Sequence, residues 1–234
     1  MPRILLPKKK LIVGLLTLLA VGGLSGLLTN LTSQASGIGL SWSSSLSAST
    51  STPTPLMVAA NVQALYQGDP TIGWDSSAQY QLWWPSACSP AALTMALRAW
   101  GQQVTIGQVL DRLVAHHAIT PEQGLLNADA LTQVAREYSF QATTFKNWNA
   151  QKLALVTAQG VPVLVDLVDA KQQTPYPGFV VGHWLVVIGV NASHISVRDS
   201  SGYHIHSFQP AIFHTLFTGI GIVLWKGVAL SLPT

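Results

Sequence analysis

The spacing of apolar residues divides the chain into three stretches. Residues 11–28 form an apolar run of 18 positions, broken only by small residues and Thr17, with Arg3 and Lys8-Lys9-Lys10 ahead of it. That length approaches the roughly 20 residues with which a helix spans a bilayer. It exceeds the about 7–15 residues of a signal-peptide core. Basic residues before such a run stay cytoplasmic, so the chain beyond it is expected outside the cell. Residues 1–29 are therefore read as a signal anchor in the cell membrane. Ser33-Gln34-Ala35 offers a small-residue cleavage site, and cleavage there would give a secreted protein instead. Residues 30–58 are rich in Ser, Thr and Gly and carry Thr52-Pro53-Thr54-Pro55 near their end. They hold too few large apolar residues to offset chain entropy and read as a flexible linker. Residues 59–234 then make one domain with a sizeable core.

Inside that body the apolar period is helical first and strand-like later. Residues 61–67 and 80–84 read as extended. A helix follows with Ser89 as its cap and Pro90 at its first position, burying Leu93, Met95, Ala96, Leu97 and Trp100 and stopping at Gly101. Thr105 caps a second helix with Val109, Leu110, Leu113 and Val114 inward. Asn127 caps a third through Leu131, Val134 and Tyr138. Residues 141–145 are a short strand, and Asn149 opens a helix that ends at Gly160. Past Gly160 the rhythm changes. Residues 161–167 and 180–190 are apolar strands around a turn-rich loop, 195–198 and 203–208 alternate, Pro210 opens a short helix, and 220–225 close the chain as a strand. The expected class is α+β, with N-terminal helices packed on a mainly antiparallel sheet.

Charge supports this division. Four of the 12 basic residues lie in the first ten positions; the other eight face all nine acids, leaving the body at −1. The basic balance belongs to the anchor, and no basic patch points to nucleic acid. One cysteine excludes a disulfide within the chain, and an unpaired thiol in an exported protein is unusual.

That cysteine, Cys88, stands at the mouth of its helix in Ser86-Ala87-Cys88-Ser89-Pro90-Ala91-Ala92-Leu93. A sulfur there faces unpaired N–H groups and the positive end of the dipole, the surroundings of a nucleophile. A free cysteine is also a common small buried hydrophobe. Gly182-His183-Trp184-Leu185 opens an apolar strand, and the returning strand ends at Arg198-Asp199-Ser200-Ser201-Gly202. A hairpin centred near Asn191 sets His183 opposite Asp199, with β-carbons about 5 Å apart. The carboxylate then holds one imidazole nitrogen and leaves the other for a thiol. Taken singly, each residue also fits an edge histidine or ordinary turn chemistry. Together, in the order Cys–His–Asp, they point to nucleophilic catalysis.

Cys88-Ser89-Pro90-Ala91-Ala92, Gly182-His183-Trp184-Leu185-Val186-Val187 and Arg198-Asp199-Ser200 resemble the papain-like cysteine peptidases. Among these the similarity is to the bacteriocin-leader-processing, double-glycine type and its stand-alone forms, over roughly residues 75–225. The resemblance implies a papain-like fold, Cys88 as nucleophile, His183 as base and then acid, and Asp199 orienting His183. It also implies a glutamine about six residues before the cysteine whose amide holds the oxyanion. Gln81 lies seven before and Gln79 nine before; Gln81 is the candidate. Ser89 departs from the family's usual Gly after the nucleophile.

The expected protein is thus a membrane-tethered, extracytoplasmic cysteine peptidase acting on a peptide or protein, with the bilayer as its other partner through residues 11–28. No metal or cofactor is implied. An inactive binding module and a transglutaminase-like thiol acyltransferase are the alternatives. Other residues suggest less. His116-His117 read as a helix-end pair, and His204 and His206 as surface residues. Trp83-Trp84 read as core, and Asp166 and Asp169 as strand-end carboxylates with weak potential for a cation.

Overall fold

The computed structural model describes residues 58–172, 174, 175, 179 and 181–234. The segments read as anchor (1–29) and linker (30–58, apart from Val58) lie outside them. Among the described residues no helix is long and apolar enough to cross a membrane.

The first half is helical, and side-chain caps set its boundaries. α1 (Ser77–Trp83) is capped by Ser76, which accepts from the Gln79 N–H. α2 (Cys88–Ala99) follows a short 3-10 turn at Trp84–Ser86. α3 (Ile106–Ala115) opens with a capping box in which Thr105 and Gln108 satisfy each other's backbone N–H. Strands β1 (Ile119–Thr120) and β2 (Gly124–Leu125) pair in a small ribbon. α4 (Asp129–Glu137) begins where Asn127 accepts from the Asp129 N–H at 3.0 Å. After β3 (Gln141–Phe145), α5 (Ala150–Thr157) is capped by Asn149.

The second half builds the sheet. β4 (Val163–Leu167), β5 (His183–Val190), β6 (Ile195–Arg198), β7 (Ser207–Phe208) and β8 (Phe217–Trp225) join β3 in the order β3-β8-β4-β5-β6-β7, every pair antiparallel. The short α6 (Pro210–Leu216) precedes β8. Successive strand residues point to opposite faces. Leu164, Trp184, Val186, Ile222 and Leu224 share one core with α2, α3 and α4. Val163, Val165, Leu167, Leu185, Val187 and Val223 share a second with Phe145, α5 and α6. Both faces are covered, which is why 180–190 reads as a continuous apolar run. Gly221 is required here: a Cβ would sit 2.2 Å from the Leu164 carbonyl oxygen.

Three expectations are corrected and one is refined. Residues 80–84 are the end of α1 and a 3-10 turn, not a strand, because the Ser76 cap starts a helix ahead of them. Residues 62–66 join no sheet; their backbone is held individually, as where the Leu65 N–H meets the Met95 sulfur at 3.3 Å. Only Ser207–Phe208 of 203–208 forms a strand, since His204 at φ 53° breaks the alternation. α2 starts at Cys88 and not after Ser89, so Pro90 is its third residue. Proline is tolerated there because first-turn N–H groups lack intrahelical partners.

Candidate active site

Cys88 occupies the first position of α2, half-buried over a fully buried Ala87. Backbone N–H groups there have no carbonyl one turn back to bond, so they face whatever approaches the sulfur. Ser89 is buried in the same turn, and its hydroxyl has no hydrogen-bond partner among the described residues.

His183 is the first residue of β5, entered through Gly182 at φ 109°, a backbone conformation that side chains disfavour. Its ring stacks on Phe179 with centroids 4.5 Å apart and planes 16° from parallel. Nε2 meets Asp199 Oδ1 at 2.6 Å, and Cys88 lies close enough to help raise the imidazole. With Nε2 engaged, Nδ1 is the nitrogen left for sulfur. The carboxylate of Asp199 also accepts from the Ser201 N–H at 3.0 Å and from the Ser201 hydroxyl. The pair is not formed by direct opposition. Val186 pairs with Arg198, two residues from the register that would set His183 against Asp199, because the hairpin turns between Val190 and Ile195, past Asn191, and the ladder shift between Val187 and Gly189 recovers only one residue of the offset. The two side chains meet diagonally.

Burial alone would strip His183 of its proton. The hydrogen bond to Asp199 and the nearby Cys88 overcome it and push the imidazole up to about 9. Burial likewise opposes the charge on Asp199, but the bond from His183 and those from Ser201 hold its carboxyl below the usual range. The arrangement is a buried imidazolium–carboxylate pair close to a thiol at a helix N-terminus.

The glutamines separate by role. Gln79 clamps α1 to α3: its amide donates to Asp111 Oδ1 at 2.9 Å, and its oxygen accepts from the Asp75 N–H. Gln81 is exposed on α1 and makes no side-chain hydrogen bond among the described residues. Gln67, unnoticed in the sequence, is buried. Its amide donates to the Trp84 carbonyl at 2.8 Å, and its oxygen accepts from Ser200 Oγ at 2.8 Å. One side chain thus ties the residue after Asp199 to the turn that leads into Cys88. No local pattern announces Gln67, whose partner Ser200 lies 133 positions away.

Trp84, read as core, is 44% exposed, because the 3-10 turn lifts it off α1 beside Tyr80. His116 meets Glu137 of α4 at 2.5 Å, a partner that spacing along α3 does not reveal. His204 and His206 are exposed. Asp169 accepts from the Thr174 N–H and hydroxyl, both at 2.7 Å. Among the described residues no three His, Cys, Asp or Glu side chains gather as a metal would need.

The sequence profile of the Peptidase_C39 like family matches residues 71–211. No curated protein matches the chain. The fold is that of a C39-like peptidase from Bacillus anthracis, 14% identical, with a TM-score of 0.51 over 75% of this chain and 100% of that one. The peptidase domain of Streptococcus ComA, a bi-functional ABC transporter involved in quorum sensing, is 19% identical with a TM-score of 0.45, covering 59% and 90%. A double glycine motif protease from an AMS/PCAT transporter, solved with its leader peptide, is 19% identical with a TM-score of 0.45, covering 58% and 82%.

Proposed function

Because the chain belongs to the Peptidase_C39 like family, we propose that it is a cysteine peptidase working through Cys88, His183 and Asp199. The observation that carries this reading is the buried His183–Asp199 pair with Cys88 close by at the N-terminus of α2. Cys88 sulfur attacks the carbonyl carbon of a peptide bond, and the electron pair of the carbonyl moves to oxygen. The Cys88 backbone N–H and the Gln81 amide stabilise that oxyanion; Gln81 is exposed and makes no other side-chain hydrogen bond among the described residues. His183 gives its proton to the leaving amine as the C–N bond breaks. Water, deprotonated by the now neutral His183, then releases the acyl group. Asp199 keeps Nε2 occupied and the ring in position throughout.

The basic cluster and apolar run at residues 8–28 support a tether that leaves the domain outside the cell. Its substrates are then peptides or proteins met on that side of the membrane.

The test is turnover of a peptide mixture followed by mass spectrometry. Wild-type protein cleaves a subset of the peptides and Cys88→Ala cleaves none. Cleavage retained in Cys88→Ala, or a wild-type Cys88 that reacts with iodoacetamide at pH 6 no faster than free cysteine, overturns the reading. For the topology, protease added to intact cells removes the domain; a domain protected until lysis contradicts the tether.

A further inference from the structure

Asp166 is the ionisable group beside this site that the reaction above does not use. It pairs across β4 and β5 with Trp184, while its neighbour Leu167 pairs with His183. By alternation Asp166 shares the face of Leu164, Trp184 and Val186, which lie beneath α2, α3 and α4. Trp184 is buried, but Asp166, Val168 and Gly182 are only partly covered. Past Trp184 the same face is thus less covered, close enough to His183 for its charge to act on Asp166.

Three features describe the surroundings of the carboxylate. Gly182 runs beside it without a side chain, and a Cβ there would make an ordinary van der Waals contact with Asp166 Oδ1 at 3.8 Å. β8 bulges opposite Asp166: Val165 pairs with Gly221 and Leu167 with Phe217, with Gly219 between them at φ 79°. Bulges of this kind re-aim side chains and open a ladder. Third, Asp166 forms no ion pair among the described residues.

Its electrostatic setting is equally specific. Burial raises the carboxyl to about 6, against a hydrogen bond with Thr218 and the charge of His183. His183 is the titratable group acting on it, and that imidazole is already matched by Asp199 and Cys88. Near neutral pH Asp166 is an ionised, partly buried carboxylate with no cation paired to it among the described residues.

A peptide laid through the site advances about 3.5 Å per residue, so residues flanking the reacting carbonyl pass over the neighbours of His183. We propose that Asp166 selects substrates bearing a cationic group, an ammonium or guanidinium, on a residue next to the scissile bond. The inference rests on the peptidase reading and names its substrate class. A charge-assisted hydrogen bond to a desolvated carboxylate is shorter and stronger than a neutral one. It discriminates a cationic from an apolar side chain of equal length by roughly 10- to 100-fold.

The experiment labels the full-length protein with matched N-acetyl dipeptidyl chloromethyl ketones. Their one varied side chain, at either residue, is Lys, norleucine or Glu, and Cys88 sulfur displaces the chloride. Rates are read by mass spectrometry. The Lys probe reacts roughly 10- to 100-fold faster than the norleucine probe, and the Glu probe is slowest. Asp166→Asn removes the preference, so the Lys and norleucine probes react at the same rate. In wild-type protein the Lys-to-norleucine ratio shrinks as pH falls below about 6; changes in Cys88 and His183 act on both probes and cancel in the ratio. Probes with a free N-terminus and no Lys separate an α-ammonium from a side chain as the source of the charge, and preference for either supports the proposal. Rapid labelling of Cys88 at equal rates by Lys and norleucine probes overturns it and leaves the peptidase standing. So does an Asp166→Asn variant that slows both probes alike. Labelling by every probe no faster than free cysteine overturns the peptidase reading and this inference with it.

Discussion

His183 meets Asp199 at 2.6 Å and His116 meets Glu137 at 2.5 Å, yet the two histidine–carboxylate pairs live in different surroundings. The side chains of the first are 6% and 0% exposed, those of the second 34% and 33%. Glu137 is held below the usual carboxylate range by His116 and then by Arg112, but water screens both partners. His183 cannot shed its charge into water, so its proton is held by Asp199 and Cys88 together. The lesson is that pair length alone carries little. Burial and a third group close by are what set the His183 pair apart from a surface contact.

That contrast is tested most severely by removing each histidine. His183→Ala lowers peptide turnover by about 10²- to 10⁴-fold, the usual contribution of a positioned acid and base. His116→Ala leaves the rate within about twofold, as expected for a pair in screened solvent. Equal losses in the two variants would erase the distinction.

Removing the carboxylates probes stability next. Asp199→Ala strands a buried charge and costs about 3–5 kcal/mol in urea unfolding. Glu137→Ala costs about 0–1 kcal/mol, because its partners are solvated. A cost for Asp199→Ala as small as that for Glu137→Ala would show that burial does not matter here.

The pH dependence sharpens the same point. His183 is raised from 6.5 to about 9 on folding, so its contribution is complete below pH 6.5 and fades as pH rises through 9. Asp199 is lowered, so its contribution is present above its ordinary value and is lost in acid. Unfolding free energy of wild-type protein minus that of His183→Gln should therefore fall between pH 6.5 and 9, by roughly 3 kcal/mol at most. A difference that stays flat over that range contradicts the raised imidazole.

The smallest of these effects concerns Gln67, which has no counterpart behind the surface pair. Gln67→Leu leaves the Ser200 hydroxyl and the Trp84 carbonyl unpaired and costs about 1–3 kcal/mol. If the clamp also positions Cys88 against His183, turnover falls while Cys88→Ala and Cys88→Ala/Gln67→Leu bind a peptide equally. A variant with unchanged turnover would reduce Gln67 to a structural tie.

Much of this was legible in the sequence because it is local. Thr105 and Asn149 cap their helices as their positions predict, since a cap needs only a side-chain oxygen two or three residues from a free N–H. The apolar period separates helices from strands, and the turn at Asn191 brings the two ends that carry His183 and Asp199 together. These are consequences of backbone geometry that neighbouring residues impose on one another. The rest was decided by tertiary structure. A turn between Val190 and Ile195, centred past Asn191, made the His183–Asp199 contact diagonal. The Ser76 cap turned a predicted strand into α1 and sent Trp84 to the surface. Gln67 found Ser200, His116 found Glu137, and Asp166 came to lie close to His183 where the sheet face is less covered. Those outcomes depend on which distant groups packing brings within hydrogen-bond range and on which parts of a sheet face it covers, and neither is encoded in a spacing along the chain.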